Sequence, residues 1–421
     1  EILRFTYVIV FLFLCMIGYE GFFLSQKRDE IINNTYNSRL DSFADRVIRG
    51  DILSSDGQIL AQTQQQEDGT ELRSYPYGDL FAHVIGYSSM GKTGLEAQGN
   101  FYMLSSHINL MEQVMREFSG QKNPGDDLYT TLDLELQKTA SDALGDRKGA
   151  VVVMEPDTGR ILAMVSKPAY DPNQVQNQWD SLRTDSESRL LNRATQGVYP
   201  PGSTFKIITS AACLEEGVVS LDDTFSCPGY RIVEDRKIRC HKVGGHGTET
   251  FVQGIENSCN PVFMDIGLRL GSERFCDYFE QFGLMSLTNI DLPGEAGTIM
   301  HKREDIKAVE LATMTFGQSF QITPIQMAVT VSSMVNGGRR VTPHLGVSVL
   351  DKKGKTVKTF KYGEKEGIVS EKTSETTQEL LEKVVSEGSG KNAYLEGYSI
   401  GGKTATSQTL PRSAGKYISS F

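Results

Sequence analysis

Ser203 and Lys206 stand three positions apart in the run Ser203-Thr204-Phe205-Lys206, a spacing that puts both side chains on one face of a helix. Tyr199-Pro200-Pro201-Gly202 before them is a helix-start signal, and Ile207, Ile208, Ala211, Ala212 and Leu214 after them give an apolar stripe suited to burial. Ser203 is therefore expected on a first helical turn, beside free backbone N–H groups and the positive end of the helix dipole. A serine hydroxyl becomes a useful nucleophile when a neighbouring base takes its proton. A lysine among apolar neighbours loses enough proton affinity to be that base. The bland alternative is a helix that happens to carry both residues, and a motif this short does not decide between them. Two later clusters shift the balance: Ser258-Cys259-Asn260 and Lys403-Thr404-Ala405 supply further hydroxyls, an amide and a second lysine.

The elements that must position these groups can be read in outline. Asp133 to Leu144 has helical periodicity, and Ala150 to Met154 with Ile161 to Val165 reads as a hairpin around the turn Pro156-Asp157-Thr158-Gly159. Helices dominate from Ser203 to Val335, with loops expected around Cys227 to Thr250, and strand patterning returns at Gly346 to Leu350 and at Lys403 to Gln408. Strands at both ends with helices between them imply one sheet assembled from distant segments and packed on a helical layer. The 421 residues, 39% hydrophobic and 23% charged, suffice for two folded domains. A net charge of −10 and the lack of a basic run argue against a nucleic-acid partner. Phe5 to Leu24 is apolar apart from Glu20 and long enough to cross a bilayer. Ser25-Gln26-Lys27-Arg28 offers no small-residue cleavage site, so the segment reads as a membrane anchor rather than a signal peptide.

Cysteine usage raises a second question. Of 6 cysteines, Cys227, Cys240 and Cys259 join His246 in the spacing C-x12-C-x5-H-x12-C. Four nitrogen and sulfur ligands suit a tetrahedral structural zinc. A Cys227–Cys240 disulfide and free buried thiols are the rival readings.

Serine-x-x-lysine, then serine-x-asparagine, then lysine-threonine-glycine is an ordered triplet that the chain shares in two clusters out of three, the third ending in Ala405. Further stretches occur in the same order: Arg49-Gly50-Asp51-Ile52-Leu53, Tyr129-Thr130-Thr131-Leu132-Asp133, Ser166-Lys167-Pro168-Ala169-Tyr170-Asp171-Pro172-Asn173, Leu191-Asn192-Arg193-Ala194, Phe316-Gly317-Gln318 and Thr323-Pro324-Ile325-Gln326. Jointly they resemble the class B penicillin-binding proteins, membrane-anchored peptidoglycan D,D-transpeptidases, of the branch with a compact pedestal. The resemblance implies an α+β fold: an antiparallel sheet with helical layers, as in serine β-lactamases, carried on a small pedestal and one N-terminal membrane helix. It divides the chain into an anchor (1–24), a pedestal of the dimerisation type (25–125) and a transpeptidase domain (126–421), with the family's closing strands and terminal helix expected beyond Phe421. Lys416 to Phe421 resembles the start of the next strand.

The same resemblance implies roles. Ser203 is the expected nucleophile, Lys206 the base, Ser258 a proton relay and Asn260 a holder of the substrate amide. Lys403, Thr404 and Thr406 are expected to bind the terminal carboxylate, and the backbone N–H groups of Ser203 and Thr406 to form the oxyanion hole. Acyl transfer then needs no cofactor. The implied partners are peptidoglycan stem peptides, β-lactams, the membrane and a membrane glycan polymerase of the shape, division or sporulation family. Localisation is expected at the cytoplasmic membrane, single-pass, with the catalytic domain outside. A scaffold with weakened catalysis and a penicillin-hydrolysing or sensing relative are the alternatives, and a methyl at Ala405 is expected to crowd the acyl donor. Gly397-x4-Gly402-Lys403-Thr404 and Gly86-x4-Gly91-Lys92-Thr93 also fit a phosphate-loop pattern but lack a strand before and a helix after.

Overall fold

The computed structural model describes residues 2–32, 43–408 and 417–420, and side chains within 2–24 and 43–407. Its described residues fall into two compact units, each built from segments distant in sequence. Helix α1, Ile2–Ile32, opens the chain, and its apolar part, Ile2–Leu24, is 23 residues long with no side chain buried by protein. The polar stretch Gln26 to Asp45, whose sequence predicts a helix rising off the membrane, is helical to Ile32, and 33–42 lie outside the described residues.

In the first unit, β1 (Val47–Ile48), β2 (Ile52–Leu53), β3 (Ile59–Gln65) and β4 (Glu71–Ser74) precede helix α2 (Leu110–Phe118), β5 (Asn123–Pro124) and β6 (Asp127–Thr130). Asp56-Gly57 makes the expected turn between β2 and β3, with Gly57 at φ 81°. A six-stranded sheet runs Thr356–Thr359, Gly346–Leu350, β6, β2, β3, β4. Here one expectation fails: Gly346–Leu350 pairs antiparallel with β6, not with the strands near the nucleophile. Its pattern announces a strand, but the partner is chosen by long-range packing that local periodicity does not encode. The unit is pinned by a buried ion cluster. Glu96, fully buried, accepts from Arg49 Nε at 2.7 Å and Arg73 Nε at 2.6 Å, and Arg73 also donates to the Gly50 carbonyl at 2.7 Å. Burial alone would push the Glu96 carboxyl up, yet the two guanidiniums hold it below its usual range.

The second unit begins with α3 (Leu134–Leu144), capped by Asp133 accepting from Leu136 N, and the hairpin β7 (Gly149–Met154) and β8 (Ile161–Lys167). Helix α4 (Lys206–Glu215) follows. Where loops were expected from Cys227 to Thr250 there are short strands: β9 (Thr224–Cys227), β10 (Tyr230–Val233), β11 (Arg236–Arg239) and β12 (Gly247–Thr250). The β10–β11 turn tolerates Glu234 at φ 53°, so a tight hairpin forms without glycine at that position. Helices α5 (Phe251–Glu256), α6 (Asn260–Leu270), α7 (Ser272–Gln281), α8 (Pro324–Val335) and α9 (Glu371–Ser386) form the helical layer. Near the C-terminus β13 (Ala405–Gln408) pairs antiparallel with β14 (Tyr417–Ser420), so the strand read at the end of the chain is present. Among the described residues the β7–β8 and β13–β14 pairs are separate two-stranded ladders.

The core of this unit gathers on α4. Ile207, Ile208, Ala211 and Ala212 are buried and Leu214 packs against the same cluster, as the apolar stripe requires. Phe205, fully buried, sets its ring edge-on to Phe320 at 4.7 Å and near Phe279 at 5.7 Å. Buried aromatic pairs of this kind add about 0.5–1.5 kcal/mol beyond their area. They clamp the N-terminal turn of α4.

Candidate active site

Ser203 lies on a 3₁₀ turn, Gly202–Phe205, that runs directly into α4 at Lys206. The turn is fixed by backbone. Tyr199 and Ile322 exchange both N–H to carbonyl bonds at 2.9 and 3.0 Å, and Gly202 N donates to the Gly317 carbonyl at 2.9 Å. Gly202 has φ 58° and Gly317 φ 77°, and a β-carbon on Gly317 would overlap the Gly202 carbonyl oxygen. Glycine is required at both positions by conformation and by contact. Gly317 was legible only as part of the marker Phe316-Gly317-Gln318, without a role.

Lys206 is 1% exposed, and its ammonium nitrogen reaches three oxygens: the Ser258 carbonyl at 2.6 Å, Ser258 Oγ at 3.2 Å and Asn260 Oδ1 at 2.8 Å. Burial, with the Lys403 cation adding to it, brings its pKa down to about 7. Ser258, itself buried, holds a left-handed backbone at φ 54° in the short link between α5 and α6. Asn260 opens α6, with Pro261 next to it setting the first turn, and its Nδ2 donates to the Arg239 carbonyl at 3.2 Å. Arg239 belongs to β11, and its carbonyl is a site partner that no side-chain motif could have revealed.

The third cluster enters along β13. Lys403, Ala405 and Ser407 are buried, while Thr404 is half-buried and Thr406 exposed, the alternation a strand imposes. Lys403 donates to the Thr404 carbonyl at 3.0 Å, and burial lowers its pKa to about 8. Ala405 departs from the expectation of a methyl facing the substrate. Its side chain is buried on the Gly202 side of the strand, 3.3 Å from where a Gly202 β-carbon would stand, so it packs beneath the nucleophile turn. The strand's phase decides this, since residue 405 shares a face with Lys403 and Ser407. The structure thus sets Lys206 against Ser258 and Asn260, with Ser203 on the turn that leads into Lys206, Lys403 and Thr404 just before β13, and Thr406 on the exposed face of that strand.

Beside this lies a second cluster. The pairing of β12 with β9 sets Gly247 opposite Cys227 and so brings His246 to it, while the β10–β11 hairpin returns the chain so that Cys240 N donates to the Gly229 carbonyl at 2.9 Å. Cys259, between Ser258 and Asn260, completes the set. The ligand atoms of Cys227, Cys240, His246 and Cys259 all lie within 4.8 Å of one another, with His246 Nδ1 at 3.5 Å from Cys227 Sγ and 3.6 Å from Cys240 Sγ. All six cysteines are free, so the disulfide reading of Cys227 and Cys240 is not what the fold adopts. Zinc–sulfur bonds of about 2.3 Å in a tetrahedron put ligand atoms roughly 3.5–3.8 Å apart, a range that the two His246 separations meet and the 4.8 Å bound on the whole set exceeds. The hydrogen bond between Cys259 and Cys240 pulls the Cys240 thiol well below its ordinary range and holds the Cys259 thiol well above its own.

Comparison with known proteins identifies the setting. Residues 149–421 match the penicillin binding protein transpeptidase domain, and 49–128 match the penicillin binding protein A dimerisation domain. The chain belongs to the penicillin-binding proteins. Stage V sporulation protein D of Bacillus subtilis is 37% identical over 82% of this chain and 56% of its own length. The peptidoglycan D,D-transpeptidase MrdA of Acinetobacter baumannii is 32% identical over 82% of this chain and 58% of its own. The chain thus spans little more than half of these curated relatives. Among solved structures, the D,D-transpeptidase domain of a peptidoglycan glycosyltransferase from Eggerthella lenta superposes with a TM-score of 0.79 at 32% identity, covering 87% of this chain and 88% of that one. Penicillin-binding protein A from M. tuberculosis, as its ceftriaxone acyl-enzyme, gives 0.80 at 28% identity, covering 90% of each. The mixed fold of helices and sheet expected for a penicillin-binding protein is therefore the one observed.

Proposed function

We propose that this penicillin-binding protein is a peptidoglycan D,D-transpeptidase whose acyl-enzyme forms on Ser203. The observation that carries the reading is the buried Lys206 nitrogen, brought near neutrality and held against Ser258 and Asn260 one helical turn from Ser203. Neutral Lys206 takes the Ser203 proton as Oγ attacks the carbonyl carbon of the penultimate D-Ala of a stem peptide. The carbonyl's electron pair moves to oxygen, facing the backbone N–H groups of Ser203 and Thr406, where one donor is worth ~10²–10³ in rate. Collapse breaks the amide bond. The proton passes from Lys206 through Ser258 Oγ to the departing D-Ala amine, leaving a serine ester. Asn260 orients the donor amide, and Lys403 with the Thr404 and Thr406 hydroxyls holds the terminal carboxylate. An amine of a second stem peptide then attacks the ester, returns a proton to the site and frees Ser203. A β-lactam enters by the same attack, its ring opening in place of D-Ala release.

In this reading α1 anchors the chain in the cytoplasmic membrane, with residues 25–125 as pedestal and 126–421 as the catalytic domain outside. A membrane glycan polymerase supplies the strands to be joined. Acyl transfer draws on no cofactor. Cys227, Cys240, His246 and Cys259 are the residues that would hold a structural zinc, which would cross-link the β9–β12 region to the segment bearing Ser258 and Asn260. Metal analysis beside thiol counting on the unfolded chain tests this, and metal-free protein with six free thiols would end it.

The decisive experiment incubates the protein with labelled penicillin and follows the adduct by intact mass. A stable adduct that is absent in Ser203→Ala supports the transpeptidase reading. Rapid turnover of the adduct would point to a hydrolase, and no adduct would leave a scaffold without acyl transfer.

A further inference from the structure

Helix α2 is turned the wrong way for a surface helix. Leu110, Met111, Met115 and Phe118 are 75, 71, 64 and 90% exposed, and Val114 is exposed beside them, while none of its residues is buried. An ordinary surface helix puts such residues against the core and its charges toward water. Here the polar side is the one held by protein. Lys353 Nζ reaches Glu112 Oε2 at 3.2 Å, and Arg116 Nη1 donates to the Lys122 carbonyl at 3.3 Å. The apolar stripe is therefore presented outward by interactions on the opposite face.

The position of α2 in the chain says what meets that stripe. Lys122, four residues past the helix, donates through Nζ to the Ala44 carbonyl at 2.8 Å and pairs with Glu71 at 2.9 Å. Strand β5, which follows it, pairs in parallel with β1. The C-terminal end of α2 is thus tied to the point where the chain arrives from α1. Ten residues, 33–42, separate α1 from Phe43. Even fully extended, with the last turns of α1 added, they keep α2 within about 50 Å of the apolar part of α1. We infer that α2 lies in the interfacial layer of the bilayer that α1 enters, with Leu110, Met111, Val114, Met115 and Phe118 among the acyl chains. This rests on the reading of α1 as a membrane anchor.

A second protein fits the stripe less well. Five side chains on a helix of 9 residues would make only part of the ~800 Å² per partner that a standard protein interface buries. Lipid sets no such minimum, because an amphipathic helix gains from each apolar side chain it inserts. The tether makes the insertion intramolecular, so a contact too weak to recruit a free protein still holds. Leucine, methionine and phenylalanine need no hydrogen-bond partner, and Glu112 and Arg116 are engaged on the protein side of α2 while Glu117 stays in water at the edge of the stripe.

The test places single nitroxide labels on the full chain in vesicles of phosphatidylethanolamine and phosphatidylglycerol. Relaxation by oxygen, which concentrates in acyl chains, is compared with relaxation by a water-soluble nickel chelate. The native Cys15 reports on α1. In a Cys15→Ser background, Met115→Cys and Phe118→Cys report on the stripe, and Gln66→Cys, on an exposed turn, gives the water reference. The other cysteines are buried and take no label. The expected result is a ratio of oxygen to chelate collisions at residues 115 and 118 several-fold above that at 66 and close to that at 15. A ratio at 115 and 118 equal to that at 66, with Cys15 in lipid, overturns this inference alone. Shielding of both labels from both relaxants also overturns it and points to a second copy of the chain. A Cys15 label in water removes the anchor reading itself, and this inference with it.

Discussion

Lys206 Nζ lies 2.6 Å from the carbonyl oxygen of Ser258, a residue whose own backbone is left-handed at φ 54°. A non-glycine residue in that conformation costs about 1–3 kcal/mol, and a hydrogen bond from a charged or strongly polar donor offsets a similar amount. Lys206 therefore holds Ser258 in place, and Asn260, two positions on, is bound by the same nitrogen.

Replacing Lys206 by methionine keeps the length of the side chain and removes all three of its bonds. Acylation by labelled penicillin is expected to fall by at least ~10²-fold. Stability should fall by about 1–3 kcal/mol because the buried Ser258 carbonyl loses its donor. Lys206→Arg restores a donor but no base at neutral pH. A recovered melting temperature without recovered acylation is the outcome that separates the two roles.

The acylation rate should have a bell-shaped dependence on pH. Lys206 serves as base only when neutral, so kcat/KM rises as pH increases through about 7. Lys403 holds a carboxylate only while protonated, so kcat/KM declines as pH passes about 8. Measurements on the free enzyme report these two groups. Lys403→Gln should flatten the alkaline limb and move the acid limb to higher pH, because the Lys403 cation helps to lower the Lys206 pKa.

Gly202 and Ala405 face one another, and their substitutions should differ in size of effect. Gly202→Ala adds a methyl at φ 58° that overlaps Ser407 Oγ, and acylation is expected to be lost with about 1–3 kcal/mol of stability. Ala405→Gly removes a buried methyl from a strand and should cost about 0.5–1 kcal/mol, with acylation changed less than about tenfold. If Ala405→Gly instead raised the rate a hundredfold, crowding of the acyl donor would be the better account of that residue.

Glu96→Gln tests the buried cluster of the first unit. Two guanidiniums would lose their countercharge without gaining water, a loss of about 3–5 kcal/mol in chemical unfolding. The exposed pair Lys138–Glu135 is the control, and Glu135→Gln should shift stability by less than about 1 kcal/mol.

Residue types in order single out Ser203, Lys206, Ser258, Asn260 and Lys403 as candidates, because a nucleophile, a base and an anion holder are each chemically distinctive, and the fold sets Lys206 against Ser258 and Asn260. The direction of the Ala405 side chain could not be assigned without the phase of β13, and phase depends on which face of the strand meets α4. Gly346–Leu350 shows a related limit. Its residues favour a strand in any setting, but the choice of β6 as neighbour belongs to the whole first unit. The cysteines show another. Spacing alone left zinc, disulfide and free thiols open, and the convergence of four ligand atoms depends on a hairpin between Cys227 and Cys240 that reads as loop. No element is assigned to 110–118 from sequence, and only the ties of Glu112 and Arg116 determine which face of α2 looks outward.

The hydrogen bond from Gly202 to Gly317 closes a route of adaptation. Most active sites are retuned by exchanging a side chain that leans on the nucleophile, but here the support is one bare main chain laid on another. No codon change at either position offers an intermediate fit. Variants with altered drug susceptibility in this protein should therefore accumulate around the outer strand face at Thr404 and Thr406 and along the β10–β11 hairpin, where there are atoms that can be exchanged.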